Sequence, residues 1–322
     1  MTLYIKSVAH YCPETRLTNK DLEKMVDTND EWIVTRTGIK ERAIAGKGVG
    51  ASDLGAEASK IALEKSGLAA DEIEAVLCAT CTPDMSIPGA ASLIQHKMGL
   101  NQVMSLDLNA ACSGFVYSMD VAEGLLQTGR YKNILLSCTE KFSGIVNYED
   151  RGTCILFGDG AGSLVLSSEP GGAKLLALYT GSNGSLSHLL QRPAGGSLVP
   201  AHENEQAEDM YLQMEGKEVF KHAVRWMGAS AEKTVEMAGW KPEEVDWLIP
   251  HQANMRLIKA AAERLNMPMD KVLVNIEKYG NMSAASIPVA MSEFQDKFKK
   301  GDKILCVAFG AGFTWGGLAL EW

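Results

Sequence analysis

Short runs of consecutive apolar residues alternate along this chain with stretches in which apolar residues recur every three or four positions. Ala75-Val76-Leu77, Leu164-Val165-Leu166 and Trp247-Leu248-Ile249 read as buried strands, and Met104 to Leu108 as another short strand. Val116, Met119, Ala122, Leu125 and Leu126 fall at helical spacing and predict a helix that closes near Gly129. Met255 to Leu265 predicts a further helix, and Val272 to Ile276 a further strand. Strands alternating with helices place the chain in the α/β class.

The pattern repeats. Gly67-Leu68-Ala69-Ala70-Asp71-Glu72-Ile73-Glu74-Ala75-Val76-Leu77 is matched without gaps by Gly239-Trp240-Lys241-Pro242-Glu243-Glu244-Val245-Asp246-Trp247-Leu248-Ile249, at an offset of 172 residues. Leu126 to Leu136 matches Phe298 to Cys306 in the same order, and each half ends in a glycine-rich turn and an apolar strand, Gly158 to Leu166 and Gly310 to Leu320. This predicts a tandem duplication of a βα unit over residues 1–170 and 171–322, with two similar sheets sharing one core. The stretch from Gly181 to Gly216 is the least regular and reads as a long surface loop or lid.

The duplication places candidate chemistry. Cys112, within Asn109-Ala110-Ala111-Cys112-Ser113-Gly114-Phe115, lies where a strand turns into a helix. Unpaired amides at a helix N-terminus favour a thiolate, and small neighbours let a substrate approach the sulfur. In the second half, Tyr279-Gly280-Asn281-Met282-Ser283 repeats that layout, so Cys112 corresponds to the neighbourhood of Asn281 and Met282. His251 follows a buried strand at the position equivalent to Ala79. Sites in α/β sheets form beyond the carboxyl ends of strands, so a pseudo-twofold arrangement brings Cys112, His251 and Asn281 together.

Composition narrows the partners. Over 322 residues, 46% are hydrophobic and the net charge is −9, which argues against nucleic acid as the main partner. The N-terminal residues lack the long apolar region of a signal peptide, and no apolar run is long enough to cross a membrane as a helix. Seven scattered cysteines suggest a reducing compartment, hence the cytoplasm. Cys78-Ala-Thr-Cys81 has redox or zinc spacing, but no second pair follows and a structural role is the better reading. Phe157 to Gly162 looks like a phosphate loop, yet it precedes a strand instead of a helix, so a tight turn is expected. His10, His96, His188, His202 and His222 form no zinc spacing and read as structural or solvated.

With these residues in view, the chain resembles the β-ketoacyl-acyl carrier protein synthase III family, the initiating condensing enzymes of type II fatty acid synthesis. The resemblance runs essentially end to end. Its marks are Asp30-Glu31-Trp32-Ile33-Val34-Thr35-Arg36-Thr37-Gly38-Ile39, Ala110-Ala111-Cys112-Ser113-Gly114-Phe115, Arg151-Gly152-Thr153, Pro250-His251-Gln252-Ala253-Asn254, Gly280-Asn281-Met282-Ser283-Ala284-Ala285 and Phe313-Thr314-Trp315-Gly316. It implies the thiolase fold, a layered α-β-α-β-α arrangement, and a homodimer. It implies that Cys112 accepts an acyl group from acyl-CoA, with the backbone amides of Cys112 and Ala311 holding the oxyanion. Malonyl-acyl carrier protein is then decarboxylated beside His251 and Asn281, and the carbanion attacks the acyl group. Neutral His251 suffices as a hydrogen-bond donor, so no Cys–His ion pair is required, and Phe313 helps exclude water. No metal or resident cofactor is expected, acyl-CoA being a substrate.

Further positions follow from the same resemblance. Trp32, Arg36, Arg151, Gly152, Gly216, Phe220 and Asn254 match the CoA site. Ile87, Phe142, Phe157, Leu190 and Phe309 match the acyl pocket, Ile87 reaching into the partner subunit's. Lys221, Arg256 and Arg264 match the positions that dock the acidic carrier protein. Ala311 stands where the family commonly has glycine, and the segment from Gly195 to Asp209 is a few residues longer than usual. Two other readings stay open: a secondary-metabolite relative with a different starter or acceptor, and a non-catalytic carrier-binding paralogue, against which the complete Cys-His-Asn set speaks. Nothing in the sequence points to a base beside the cysteine.

Overall fold

The computed structural model describes residues 2–322. The first half contains β1 (Tyr4–Tyr11), β2 (Arg16–Thr18), α1 (Asn19–Leu22), α2 (Asp30–Thr37), β3 (Glu41–Ala43), α3 (Ala51–Ser66), β4 (Ala75–Ala79), α4 (Ala90–Lys97), β5 (Met104–Leu108), α5 (Gly114–Gln127), β6 (Asn133–Lys141), α6 (Arg151–Cys154) and β7 (Asp159–Ser167). The second contains β8 (Ala173–Ser182), β9 (Leu190–Gln191), β10 (Gln213–Met214), α7 (Gly216–Met237), β11 (Trp247–Pro250), α8 (Met255–Arg264), α9 (Ile276–Tyr279), α10 (Ser286–Phe294), β12 (Lys303–Gly310) and β13 (Thr314–Glu321).

The duplication holds at the level of single hydrogen bonds. Gly67 and Gly239 end α3 and follow α7 with φ of +73° and +69°, a conformation that costs glycine nothing. Five residues on, the carboxylates of Glu72 and Glu244 accept from the amides of Ala69 and Lys241, each at 2.7 Å. The amides of Glu74 and Asp246 then donate to the carbonyls of Asn133 and Lys303, at 3.0 and 2.9 Å. Each half repeats one ladder pattern. β4 runs parallel to β6, which is antiparallel to β7, as β11 runs parallel to β12, which is antiparallel to β13.

Two expectations need correction. The two sheets are one continuous nine-stranded sheet, ordered β11-β12-β13-β8-β1-β7-β6-β4-β5. The edge strands β1 and β8 meet only at Tyr4↔Lys174 and Ile5↔Ala173, because unpaired edge amides and carbonyls find each other there. The strand expected over Val272 to Ile276 shrinks to a single bridge between Val272 and Leu248. Beyond it the Gln252 side chain takes the backbone groups that a ladder would use. Its Nε2 donates to the Pro250 and Leu273 carbonyls and its Oε1 accepts from the Asn275 amide.

Helices α5 and α10 lie between the two parts of the sheet. α5 packs on β4, β6, β8 and β13, and α10 on β1, β7 and β11. Helices α3 and α4 cover the outer face of the first part, and α7 and α8 that of the second. Strands buried on both faces explain the unbroken apolar runs. Phe115 and Met119 of α5, Ile287 and Val289 of α10, Leu136, Leu166, Cys306 and Leu318 form one cluster. Burying each large apolar side chain there contributes roughly 1.5–3 kcal/mol. The tight turn expected over Phe157 to Gly162 is instead mostly strand: Asp159 to Gly162 open β7, and none of its glycines takes a positive φ. The irregular stretch is only partly a loop, since β9 and β10 pair within it through Gln191↔Gln213 and Leu190↔Met214.

The closeness of α10 to the sheet is testable at Gly162. A Cβ there would stand 2.8 Å from Pro288 Cβ and from the Val289 amide. Gly162→Ala is expected to lower stability by about 1–3 kcal/mol in urea unfolding. Gly124→Ala, on an open face of α5, is expected to raise it by about 0.5–1 kcal/mol. Equal midpoints for the two variants would contradict this packing.

Candidate active site

Cys112 sits in a short turn, Ala111–Ser113, between β5 and α5. Asn109 Oδ1 accepts from the Ala111 amide at 3.2 Å, and Ala111 takes φ of +46°. The second half builds the same turn before α10. Asn281 Oδ1 accepts from the Ser283 amide at 2.8 Å, and Ser283 also takes φ of +46°. At the common offset, Asn109 pairs with Asn281 and Ala111 with Ser283. The counterpart of Cys112 is therefore Ala284, three residues beyond the expected Asn281. Because Asn281 Oδ1 is engaged, its Nδ2 is the end of the amide left to donate.

The end of β12 closes over the sulfur. A Cβ on Gly310 would lie 2.6 Å from the Cys112 amide nitrogen, so only glycine fits there. Ala311 follows without positive φ, while Gly312 takes φ of +133°, so alanine is accommodated at 311. The Thr314 hydroxyl bridges the Ala110 and Ala311 carbonyls at 2.9 and 3.1 Å, tying this turn to the Cys112 turn.

His251 follows β11, its amide donating to the Val307 carbonyl at 2.8 Å. The side chain is buried, and neither ring nitrogen has a partner among the described residues. Burial holds its pKa down at about 3, so the imidazole is neutral at physiological pH. The same cause pushes the Cys112 thiol up to about 12, with a Ser283 hydrogen bond opposing it. The thiolate expected from the helix N-terminus is therefore not the resting form, because desolvation outweighs the few amide dipoles.

Two cavities meet at Cys112. One, of about 110 Å³, is lined by Cys112, His251, Asn281 and Phe309 at its base, with Phe220, Asn254 and Gly216 further out. The other, of about 270 Å³, is lined by Cys112, Cys81, Phe142, Phe157, Leu190 and Ala311. Phe142 and Phe157 stack at 4.6 Å as one wall. The structure thus brings together Cys112, His251 and Asn281 from three distant segments.

Outside the cavities, the Arg151 and Arg36 guanidinium groups sit 4.9 and 5.7 Å from the centre of the Trp32 ring. Arg151 also donates to the Asp27 carbonyl at 2.8 Å, and the Gly152 amide to Asp150 at 2.8 Å. Asn254 caps α8 by accepting from the Arg256 amide, and its Nδ2 donates to the Arg36 carbonyl. Arg256 stacks on Phe220 at 4.9 Å. Lys221 is exposed beside Glu218, whereas Arg264 is held by Glu232 at 2.6 Å. Ile87 is 87% exposed and lines neither cavity of its own chain.

Sequence reasoning missed one group. Glu140, at the end of β6, is fully buried and accepts from the hydroxyls of Thr80 and Thr82 and from the Cys81 amide. A lone acid in an apolar strand carries no motif, and its partners come from a different strand end. Cys81, read as structural, stands at the site, 3.8 Å from the Ser283 hydroxyl.

Two family models match the chain, "3-Oxoacyl-[acyl-carrier-protein (ACP)] synthase III" over residues 106–184 and its C-terminal counterpart over 235–322. The β-ketoacyl-[acyl-carrier-protein] synthase III of Caldanaerobacter subterraneus is 47% identical over 321 residues, covering 99% of this chain and 97% of that protein. The synthase of the same name from Oleidesulfovibrio alaskensis is 45% identical, covering 99% and 98%. The crystal structure of 3-oxoacyl-[acyl-carrier-protein] synthase III from Aquifex aeolicus superposes with a TM-score of 0.92 at 44% identity, covering 99% and 100%. The chain belongs to the β-ketoacyl-acyl carrier protein synthase III family. It is an acyltransferase of the condensing class with the thiolase fold, as the resemblance implied.

In this synthase III site, neutrality of His251 has a pH signature. The folded pKa lies below the unfolded value, so between about pH 6.5 and 3 the unfolded chain binds a proton that the folded chain does not. Stability therefore falls with acidification across that window, by about 1.4 kcal/mol per pH unit from this group. His251→Gln is expected to flatten that slope in urea unfolding between pH 4 and 6. An unchanged slope would contradict a neutral buried imidazole.

Proposed function

We propose that this synthase condenses a short acyl-CoA starter with malonyl-acyl carrier protein through an acyl thioester on Cys112, initiating fatty acid synthesis. The observation that carries the reading is the convergence of Cys112, an unpartnered neutral His251 and a pre-oriented Asn281 on one cavity. The Cys112 sulfur attacks the thioester carbonyl and the amides of Cys112 and Ala311 receive the oxyanion. CoA leaves, malonyl-carrier enters, and its thioester oxygen takes hydrogen bonds from His251 and Asn281 Nδ2. Loss of carbon dioxide then gives an enolate stabilised by two neutral donors, and its carbon attacks the acyl-Cys112 carbonyl. Phe313, fully buried and 4.8 Å from Phe309, backs the cavity wall that keeps water out. No cofactor or metal is needed for these steps.

The tunnel through Phe220, Asn254 and Gly216 suits a pantetheine arm. Adenine recognition falls to Trp32 and Arg151, whose present contact leaves no gap for an intervening ring, so Arg151 must swing away from Trp32 on binding. The pocket of Phe142, Phe157 and Leu190 takes the acyl chain. The free edge of β5 and the exposed Ile87 and Met85 support a homodimer in which Ile87 closes the partner's pocket. No helix among the described residues is long and apolar enough to cross a membrane. Seven free cysteines support a cytoplasmic location.

Cys112→Ala is expected to abolish the acyl mass adduct formed with acetyl-, isobutyryl- or hexanoyl-CoA, read by intact mass spectrometry. His251→Ala and Asn281→Ala are expected to keep the adduct but lose on the order of 100- to 1,000-fold in condensation with malonyl-carrier. Condensation at full rate in His251→Ala would remove the role given to that residue.

Carrier docking is expected to rest on Lys221 and Arg256 at the tunnel mouth more than on Arg264, which Glu232 already neutralises. Charge reversal at Lys221 or Arg256 should raise KM for the carrier with kcat little changed, and the effect should shrink at high salt. A larger effect at Arg264 would contradict this ranking.

A further inference from the structure

Neither ring nitrogen of His251 bonds to any group among the described residues, so no side chain there turns the imidazole towards a substrate. A working histidine is commonly fixed by the hydrogen bond that its second nitrogen makes. The orientation of His251 has to come from its backbone and its packing instead. On one side the backbone is held by β12, through the bond from the His251 amide to the Val307 carbonyl at 2.8 Å. On the other side of β11 the ladder stops short. The Leu273 amide donates to the Leu248 carbonyl at 2.9 Å, but two residues on Pro250 offers a carbonyl and no N–H. The Gln252 side chain fills that gap. Its Nε2 donates to the Pro250 carbonyl at 2.7 Å and to the Leu273 carbonyl at 3.2 Å, and its Oε1 accepts from the Asn275 amide at 3.1 Å. Gln252 is fully buried and lines neither cavity.

We propose that Gln252 is a positioning residue for condensation, holding the His251 loop and the Asn281 segment at one fixed spacing. This rests on the reading of His251 and Asn281 as the two donors to the malonyl thioester oxygen. The three bonds join the residue before His251 to the segment that leads into Asn281. Asn275 begins α9, which closes at Gly280, and Asn281 follows directly. From its far side Asn281 is fixed by the acyl-pocket strand, its amide donating to the Leu156 carbonyl at 2.8 Å and its carbonyl accepting from the Gly158 amide at 3.0 Å. An oxygen served by two donors must lie about 2.7–3.1 Å from both at once, so their separation decides whether both bonds form. Gln252 touches no reacting atom and acts through the residues on either side of it.

The other half of the molecule shows what the side chain replaces. There β4 pairs with β5 from Ala75↔Met104 to Ala79↔Leu108, and the Thr80 amide adds a bond to the Leu108 carbonyl at 3.1 Å. That ladder carries the turn of Asn109 and Cys112. At the common offset Gln252 stands where Thr80 does, and the segment before Asn281 stands where β5 does, with a single bridge to β11. The Cys112 turn is therefore held by a strand and the Asn281 turn by one side chain. The two half-reactions depend on that side chain unequally. Acylation uses the Cys112 sulfur and the amides of Cys112 and Ala311, to which Gln252 makes no bond. Decarboxylation uses His251 and Asn281 together, and a displacement of about 1 Å between such groups can cost on the order of 100-fold.

The test times the two steps separately. Acylation is followed by CoA release from acetyl-CoA in stopped flow, and condensation by single turnover of the acetylated protein with malonyl-acyl carrier protein. Gln252→Met, of similar length but without the amide, is expected to acylate within about twofold of the unaltered rate and to condense on the order of 100-fold more slowly at saturating carrier. Gln252→Glu keeps an acceptor and, as a neutral buried carboxyl, one donor, so its condensation is expected to fall on the order of 10-fold only. Ser163→Ala breaks the buried hydroxyl chain to Ser59 and Ser137 under α3, and serves as the stability control with the ratio of the two rates unaltered. Should Gln252→Met fail to fold, Gln252→Glu carries the test. An unaltered ratio in either Gln252 variant, a ratio no better in Gln252→Glu than in Gln252→Met, or an equal fall in Ser163→Ala would overturn the positioning role alone. Condensation at full rate in His251→Ala would overturn the donor reading beneath it.

Discussion

Two turns, each closed by an asparagine side chain on the backbone amide two residues on, hold the centre of this molecule. Asn109 and Asn281 fix Ala111 and Ser283 at φ of +46°, a conformation that non-glycine residues rarely adopt. The two turns face each other across the pseudo-twofold relation of the halves, with α5 and α10 running away between the two parts of the sheet. One turn presents a sulfur and the other an amide. A duplicated fold thus supplies unlike groups from like turns, the sulfur from the fourth position of one and the amide from the first of the other. The Gly310 backbone, with no room for a Cβ against Cys112, then seals the junction.

The same burial that makes the site tight sets its electrostatics. It keeps the Cys112 thiol protonated, the His251 imidazole neutral and the Glu140 carboxyl above its ordinary pKa. Neutral donors are the useful form beside a developing enolate, because they stabilise new charge without needing a counterion of their own. Two cavities meet this dry centre at Cys112, one walled by Phe142 and Phe157 and the other by Phe220 and Asn254.

Much of this was legible in the sequence because duplication doubles a weak signal. The acidic caps at Glu72 and Glu244 and the strands that follow them recur at one offset, and the structure keeps that offset through the catalytic turns. Cys112, His251 and Asn281 were placed by that symmetry and by resemblance. What stayed hidden depended on groups far apart in the chain. The Gln252 amide replaces a fifth strand in the second half, and no local pattern announces that substitution. The union of β1 with β8 hangs on two residue pairs. The state of the thiol depends on desolvation by the whole fold, which outweighs the local helix terminus. Glu140 drew no attention as a single acid in an apolar run, and the pairing of Arg264 with Glu232 joins two helices.

A crystal structure of the protein after incubation with a short acyl-CoA would test the central claim most directly. The account predicts an acyl thioester on Cys112, its carbonyl oxygen on the amides of Cys112 and Ala311, its chain in the pocket of Phe142 and Phe157, and His251 and Asn281 Nδ2 still free. An acyl oxygen held instead by His251 and Asn281, or an acyl group on any other residue, would contradict it.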